Sequence, residues 1–414
     1  MEIVNPVPRE DALAWVTAAN ITLLGDTHAP DFPHRAARWT DDWYPERTWG
    51  VRDHGRWVGT LATEPRVLTV PAAAAGTSDV TVDALTGVTV AATHRRRGLL
   101  TAMLDATLRA AKERGDALAV LVAAEWPIYG RFGYAPAATY ADYSYRPRER
   151  GGVAAAAPEG AVRQVEADEL FKHADAIFDR ARRRRPGQID RAGCWWARQL
   201  NVGFEPVGEQ YLWFLHESTD GPDGLLGWRA TRRFDIDGTL GALDVTSLVA
   251  ASDLAERNLW AYLGGIDGVS EIALSNRPVD EPARWLLPNG RALRQTYAGD
   301  FLWLALLDVP AALSARRYAC EGRLVLEVVD DSRGGYAAGR FRLDASPDGA
   351  TCAPTTESAD LVLPARTLAA AYLGGHRLHE LRLAGGMDEP TPGSLARLDA
   401  MLATPLAPWC QTGF

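Results

Sequence analysis

The reading of this chain turns on Val88-Thr89-Val90, followed after Ala91-Ala92-Thr93 by His94-Arg95-Arg96-Arg97-Gly98-Leu99-Leu100-Thr101. A β-branched run stops, three arginines and a glycine follow, and a helical pattern begins. From Gly98 to about Lys112, Leu100, Met103, Leu104, Thr107, Leu108 and Ala111 recur at i, i+3, i+4 spacing, which predicts one buried face. Lys112 and Arg114 fall in the last turn, and Gly115 follows as the C-terminal cap. A strand that ends in a basic turn and opens a helix aims backbone N–H groups and the positive end of the helix dipole at one spot. Arginines ahead of a helix oppose that dipole, and an anion between them resolves the conflict. A pyrophosphate is the expected occupant.

Downstream, Ala117–Ala124 is an apolar run without alternation, the pattern of a fully buried strand. Strand, helix and strand make one βαβ unit. Upstream lie an amphipathic stretch, Asp11–Leu24, and strand-like runs at Trp49–Arg52, Arg56–Thr63, Arg66–Val70 and Val80–Val90. These form a first block, residues 1–150, and Arg148–Gly160 reads as a linker. A second block, 160–295, offers a helix at Ala167–Arg183 and strands at Gln210–Leu215 and Leu225–Arg229. It also repeats the strand-helix-strand order in Ala242–Val249, Ser252–Leu263 and Ser270–Leu274. Its junction, Ala250-Ala251-Ser252, has no basic, glycine-bearing turn, so it predicts either a degenerate copy of the first block or a generic α/β domain. A third block, 296–414, begins with Phe301–Leu307 and a helix at Val309–Arg317. Strands follow at Leu324–Val329, Gly339–Leu343, Ala350–Ala353 and Asp360–Leu363, with helices at Pro364–Leu373 and Thr391–Leu402. The class is α/β to α+β.

At 414 residues, 47% hydrophobic and 23% charged, the chain has the composition of an ordinary globular protein of two or three domains. A net charge of −9 weighs against a nucleic-acid or anionic-membrane partner and favours a cationic one. Cys194, Cys320, Cys352 and Cys410 are far apart without a C-x-x-C pattern. Reduced thiols in a cytoplasmic protein are expected, with neither a metal site nor a disulfide framework. The start, Met1-Glu2-Ile3, lacks an apolar signal region, and nowhere is there an uncharged apolar run of about 18 residues. A second basic run, Arg180–Arg185, sits late in a predicted helix, where cations suit the dipole, and reads as a solvated helix end.

The spacing Arg95-x-x-Gly98-x-Leu100 resembles the R/Q-x-x-G-x-G/A signature of the GNAT acyltransferases, with Leu in place of the last small residue. Ala92–Leu100, together with Pro127-Ile128-Tyr129-Gly130-Arg131-Phe132-Gly133-Tyr134-Ala135-Pro136, resembles the Eis (enhanced intracellular survival) family within that superfamily. The layout is similar too: an active GNAT domain, a degenerate one and a sterol-carrier-protein-like C-terminal domain. The resemblance implies an acetyl-CoA-dependent N-acetyltransferase acting on aminoglycoside, polyamine-like or lysine amines, assembled as a hexamer.

Acetyl transfer needs an amine freed of its proton, a polarised thioester carbonyl and a stabilised leaving thiolate. Val88, Thr89 and Val90 offer a strand edge along which a pantetheine arm adds as a pseudo-strand. Arg95, Arg96, Arg97, Gly98, Leu99, Leu100 and Thr101 are the expected pyrophosphate contacts, and Ala124 and Glu125 close the coenzyme site. Tyr129 falls just past the buried strand, near the departing sulfur. Taken alone it competes with Tyr134, and the resemblance carries the general-acid role to Tyr129. The chain closes apolar, Pro408-Trp409-Cys410-Gln411-Thr412-Gly413-Phe414, without a charged tail. The resemblance implies that the Phe414 carboxylate returns to the active site as general base. For the acceptor, Asp26, Asp41, Asp42 and Glu125 are candidates for an acidic wall with Trp39, Trp43 and Tyr44, or are ordinary surface and core residues. Gly87 stands where the family often has an aromatic, and Trp126-Pro127 replaces small residues, so a reshaped acceptor pocket is expected. The rival readings are a non-catalytic acyl-CoA-binding regulator and an apolar-ligand carrier.

Overall fold

The computed structural model describes residues 2–30, 32–72, 76–148, 155–157, 159–191, 193–200, 202, 211–232 and 241–414. Most of the stretch read as a linker lies outside them, as does Gln210. The first strands are β1 (Glu2–Val4), β2 (Thr48–Asp53), β3 (Arg56–Pro71), β4 (Thr77–Val90), β5 (Leu118–Val122) and β6 (Ala135–Tyr145). The next six are β7 (Ala161–Val165), β8 (Leu212–Ser218), β9 (Gly221–Arg232), β10 (Gly241–Ala250), β11 (Val269–Arg277) and β12 (Leu293–Leu306). All twelve form one sheet in the order β1-β2-β3-β4-β5-β12-β6-β11-β10-β9-β8-β7.

That order carries an exchange. β12, from the second half of the chain, lies between β5 and β6, where Leu302 faces Val122 on one side and Ala138 on the other. β6, from the first half, pairs with β11, Ile272 opposite Tyr145. Phe301–Leu307, read as the opening of the third block, is therefore the end of a strand in the main sheet. The two strands expected at Arg56–Thr63 and Arg66–Val70 are one. Pro65 does not break it, because β2 pairs only as far as Ala62 and the missing N–H removes no ladder bond.

The helices that matter for the site are α1 (Ala12–Thr22), α2 (Phe32–Trp39), α3 (Leu99–Arg114), α4 (Trp126–Tyr129), α5 (Ala167–Arg182), α6 (Trp195–Leu200) and α7 (Asp253–Gly265). On α3, Met103, Leu104, Thr107, Leu108 and Ala111 are buried as the periodicity predicts, and Gly115 caps the helix in the left-handed conformation. Each large apolar side chain buried there contributes roughly 1.5–3 kcal/mol.

Residues 309–414 carry a separate sheet, β13 (Gly322–Val329), β14 (Gly339–Ser346), β15 (Gly349–Pro354) and β16 (Leu361–Pro364), in the order β15-β14-β13-β16. Its Leu324, Leu326, Leu361 and Leu363 join one apolar core with Leu68, Val82, Leu118 and Leu304 of the large sheet. The third block is thus packed onto the first.

The Arg180–Arg185 run is a clamp, not a solvated end. Arg182 is buried and bidentate to Asp79 at 2.7 and 2.9 Å, and Arg183 reaches Asp79 and Asp179. Arg184 binds Asp253, Arg185 binds Asp280 and the Ala407 carbonyl, and Arg180 binds the Pro222 carbonyl. The helix-end argument sees only local neighbours, whereas every one of these arginines has a partner distant in sequence.

Candidate active site

β4 and β5 run parallel but pair only from Asp83–Ala119 to Leu85–Leu121. Beyond that point they part. β4 continues to Val90 against β3 alone, with a register shift between Thr60–Thr89 and Ala62–Thr86 that bulges β4 at Gly87. Gly87 has φ +61°, and a side chain there would meet the Trp15 ring of α1, whose atoms stand 2.7 Å from the Cβ position. The Trp15 ring of α1 thus lies against β4 at the glycine. Thr60 Oγ1 donates to the Gly87 carbonyl at 2.8 Å, and its hydroxyl lies 2.5 Å from that of Thr89. The Thr89 side chain is turned towards β3, so its contribution to a ligand in the gap is backbone only.

After β4 the chain makes a short turn, Ala92–His94, held by His94 Nε2 against Asp53 Oδ2 at 3.0 Å. This hydrogen bond is the main cause that holds the Asp53 carboxyl below its usual range. Arg96 (φ +63°) and Gly98 (φ +76°) both take the left-handed conformation, the kind of residue from which anion-binding nests of backbone amides are built. No atom lies within 4 Å of a Cβ built at Gly98, so the conformation rather than crowding calls for glycine. Gly98 gives no side-chain cap and the first turn of α3 holds no acid. The first helical bond is from the Ala102 N–H to the Gly98 carbonyl, which leaves the amides of Leu99, Leu100 and Thr101 directed out of the helix end. Arg95, Arg96 and Arg97 are exposed around it. Arg97 donates to the Thr93 carbonyl at 3.1 Å, while Arg95 and Arg96 have no partner among the described residues.

At the open end of the gap lies a cavity of about 300 Å³. Its walls include Trp15 and Asn20 of α1 with Leu23 just after it, Trp39 of α2, Leu85–Val88, Leu121, Val122, Ala124, Tyr129 and Phe414. The two residues named for catalysis, nearly three hundred positions apart in sequence, meet here. Glu125 is the exposed residue before α4, and Pro127 opens that helix. Tyr129, 6% exposed, ends it. Burial, and then the charge of Glu125, pushes its hydroxyl up to about 12. Tyr134 lies behind it, ring centres 6.2 Å apart, in the core.

Phe414 is half-buried at the end of a docked tail. Thr412 Oγ1 donates to the Ile189 carbonyl at 2.8 Å and Trp195 Nε1 to the Gly413 carbonyl at 3.0 Å. The expected acidic wall does not gather. None of Asp26, Asp41, Asp42 and Glu125 lines this cavity, and Asp42 accepts the Cys194 N–H at 2.8 Å. Trp43 packs edge-on against Trp15, which leaves Trp39 as the member of that group at the cavity. Trp15, Asn20 and Leu23 escaped the sequence reading because α1 carries no motif; only its position over the gap gives them a role.

A family model for an acetyltransferase (GNAT) domain matches residues 10–137, a second GNAT model matches 187–306, and a sterol carrier protein domain matches 309–411. An uncharacterised N-acetyltransferase of Streptomyces avermitilis is 36% identical over 99% of this chain and 98% of its own length. N-acetyltransferase Eis of Mycobacterium tuberculosis is 35% identical over 80% of this chain and 79% of its own. The crystal structure of Eis1 from Mycobacterium abscessus superposes at a TM-score of 0.84, with 28% identity and full coverage of both chains. Split parallel strands and an uncapped helix behind the split define a GNAT N-acetyltransferase, a fold that takes acetyl-CoA as co-substrate. More narrowly, the chain belongs to the Eis family of these enzymes.

Proposed function

We propose that this enzyme moves an acetyl group from acetyl-CoA to a slim primary amine by direct attack in a ternary complex, with Tyr129 and Phe414 on either side of the reacting centre. The observation that carries the reading is their meeting in the cavity between β4 and β5. The nest of Arg96 and Gly98, the free amides of Leu99–Thr101 and the exposed Arg95–Arg97 hold the pyrophosphate. The unpaired β4 edge, Val88 to Val90, takes the pantetheine arm, with Ala124 and Glu125 opposite.

The acceptor amine attacks the thioester carbonyl carbon, and the C–S bond breaks. The amine proton passes to the Phe414 carboxylate. An ordinary terminal carboxylate (pKa about 3.5) is a weak base for an ammonium of about 10.4. An apolar cavity narrows that gap from both ends, since desolvation raises the acid and lowers the ammonium. A tyrosine at about 12 keeps its proton. Full transfer to a thiolate whose parent thiol has a pKa of about 8.5 is uphill by roughly 5 kcal/mol. Tyr129 therefore acts as a hydrogen-bond donor that strengthens as negative charge grows on sulfur, its proton moving in concert if at all.

A volume of about 300 Å³ admits an alkylammonium arm rather than a whole aminoglycoside, and Trp15 and Trp39 offer aromatic faces to its cation. Polyamine-like molecules and lysine side chains fit best. The family resemblance also carries a cytoplasmic, hexameric assembly; sedimentation as six 45.0 kDa chains tests the latter. The carrier reading loses support because the apolar residues of the third block are spent on the core shared with the first. A side-by-side rate assay of untagged, N-tagged and C-tagged enzyme with one diamine tests the proposal. Full activity of the C-tagged form removes the Phe414 carboxylate from the mechanism.

A further inference from the structure

The second half repeats the strand split. β10 and β11 run parallel and pair as far as Val245–Leu274, then β10 continues to Ala250 and β11 to Arg277. In the first half the corresponding gap is the catalytic cavity. In the second, the C-terminal segment lies across the opening, beside a cavity of about 480 Å³ that Asp244–Leu248, Leu274–Arg277, Gln411 and Gly413 line. Gln411 Nε2 and Arg277 Nη1 both donate to the Leu248 carbonyl, each at 3.0 Å, on the lip of β10. On the other lip, Trp409 Nε1 donates to Asn276 Oδ1 at 3.0 Å. Between these anchors the Gln411 N–H donates to Gln188 Oε1 at 3.1 Å. The Gln188 carbonyl in turn accepts the Thr69 N–H of β3 at 2.9 Å.

We propose that the strand opening of the second domain is the seat of the C-terminal segment, and that Gln411 and Trp409 are positioning residues that set Phe414 opposite Tyr129. The inference rests on the reading that Phe414 takes part in acetyl transfer, but the seat itself is drawn from hydrogen bonds independent of that role. A β10 edge of the kind that accepts a pantetheine arm in the first half accepts an amide side chain here. The segment tethered to both lips has only Thr412 and Gly413 between Gln411 and the cavity. A flexible terminus would sample many positions, and a displacement of about 1 Å in a reacting group costs up to about a hundredfold in rate. Two anchors on a rigid sheet remove that freedom.

The test uses the full-length enzyme carrying Gln411→Met, which keeps length and loses the amide, and Trp409→Phe, which loses the indole N–H. Each is expected to lower kcat about tenfold while the KM for acetyl-CoA stays within twofold. Carboxypeptidase should release Phe414 severalfold faster from either variant. In a chain already lacking Phe414, Gln411→Met should cause no further loss of turnover. Wild-type kcat together with unchanged release overturns the seat, as does an equal loss of turnover in the Phe414-deleted background. Deletion of Phe414 with full activity would instead overturn the proposed chemistry, and the carboxypeptidase rates would then judge the seat alone.

Discussion

Two helices begin in equivalent places, α3 behind β4 and α7 behind β10, and their first turns are opposites. α3 starts at a left-handed glycine with no cap, no acid in its first turn and three exposed arginines before it. α7 starts at Ser252, whose hydroxyl accepts the Ala255 N–H at 3.0 Å, and carries Asp253 and Glu256 in its first turn. Behind Ser252 stands Asp223, which takes the Ser252 hydroxyl at 2.5 Å and, on its other oxygen, the ring of buried His216 at 2.6 Å. One helix end leaves its amides and dipole for an incoming anion. The other has one of them capped by the Ser252 hydroxyl and places Asp223, Asp253 and Glu256 around the turn where an anion would sit. The two GNAT domains thus differ most plainly within a few residues of one turn.

The largest expected effect concerns the cavity that Tyr129 and Phe414 line. Deleting Gly413-Phe414, or extending the chain past Phe414, should lower turnover by about 10³ while acetyl-CoA affinity, measured by calorimetry, stays near wild type. Tyr129→Phe comes next, with a drop of about 10² in the chemical step and an unchanged fold by circular dichroism. The pH profile sharpens this prediction. A tyrosine moved up to about 12 is still protonated where an ordinary one, near 10, is half ionised. The rate should therefore show no alkaline fall centred on pH 10; such a fall would mean that burial has not raised the hydroxyl.

Third, Arg96→Ala and Arg97→Ala should each weaken acetyl-CoA binding by about 1.5–3 kcal/mol, the worth of one charge-assisted hydrogen bond to phosphate. Equal affinity by calorimetry would show that the uncapped turn of α3 does not hold the pyrophosphate. The smallest effect belongs to the second half. Ser252→Ala removes a cap and should reduce stability by about 1 kcal/mol in a denaturant titration, with coenzyme affinity unchanged. Any change in acetyl-CoA binding there would break the contrast between the two turns.

What the sequence disclosed is local. Gly98 and Gly115 bracket α3 because caps and periodicity are written within a few residues, and Ser252 announced a helix start without a phosphate turn for the same reason. What it hid is set by distant partners. Position relative to a helix told Arg180–Arg185 from Arg95–Arg97, but nothing local showed that the first run is spent on Asp79, Asp253 and Asp280. Asp42 looked like a substrate carboxylate until the Cys194 amide was found on it. Trp15 packs against Gly87 from another element, a contact that spacing does not reveal. The place of β12 was equally hidden, since a buried strand reads the same wherever it inserts.

That insertion has a consequence for how the chain is made. β5 leaves the ribosome long before its partner, because Val122 must wait for Leu302. At about 5–20 residues per second, synthesis leaves β5 and β6 without the strand that joins them for on the order of 10 s. During that interval two apolar strands present open edges, the surface from which wrong pairing and aggregation start. The first half expressed alone would keep those edges for good, however complete its motifs. Recovery of soluble first half should therefore require its missing strand, supplied in trans as the second half or as a β12 peptide: each half completes the sheet of the other.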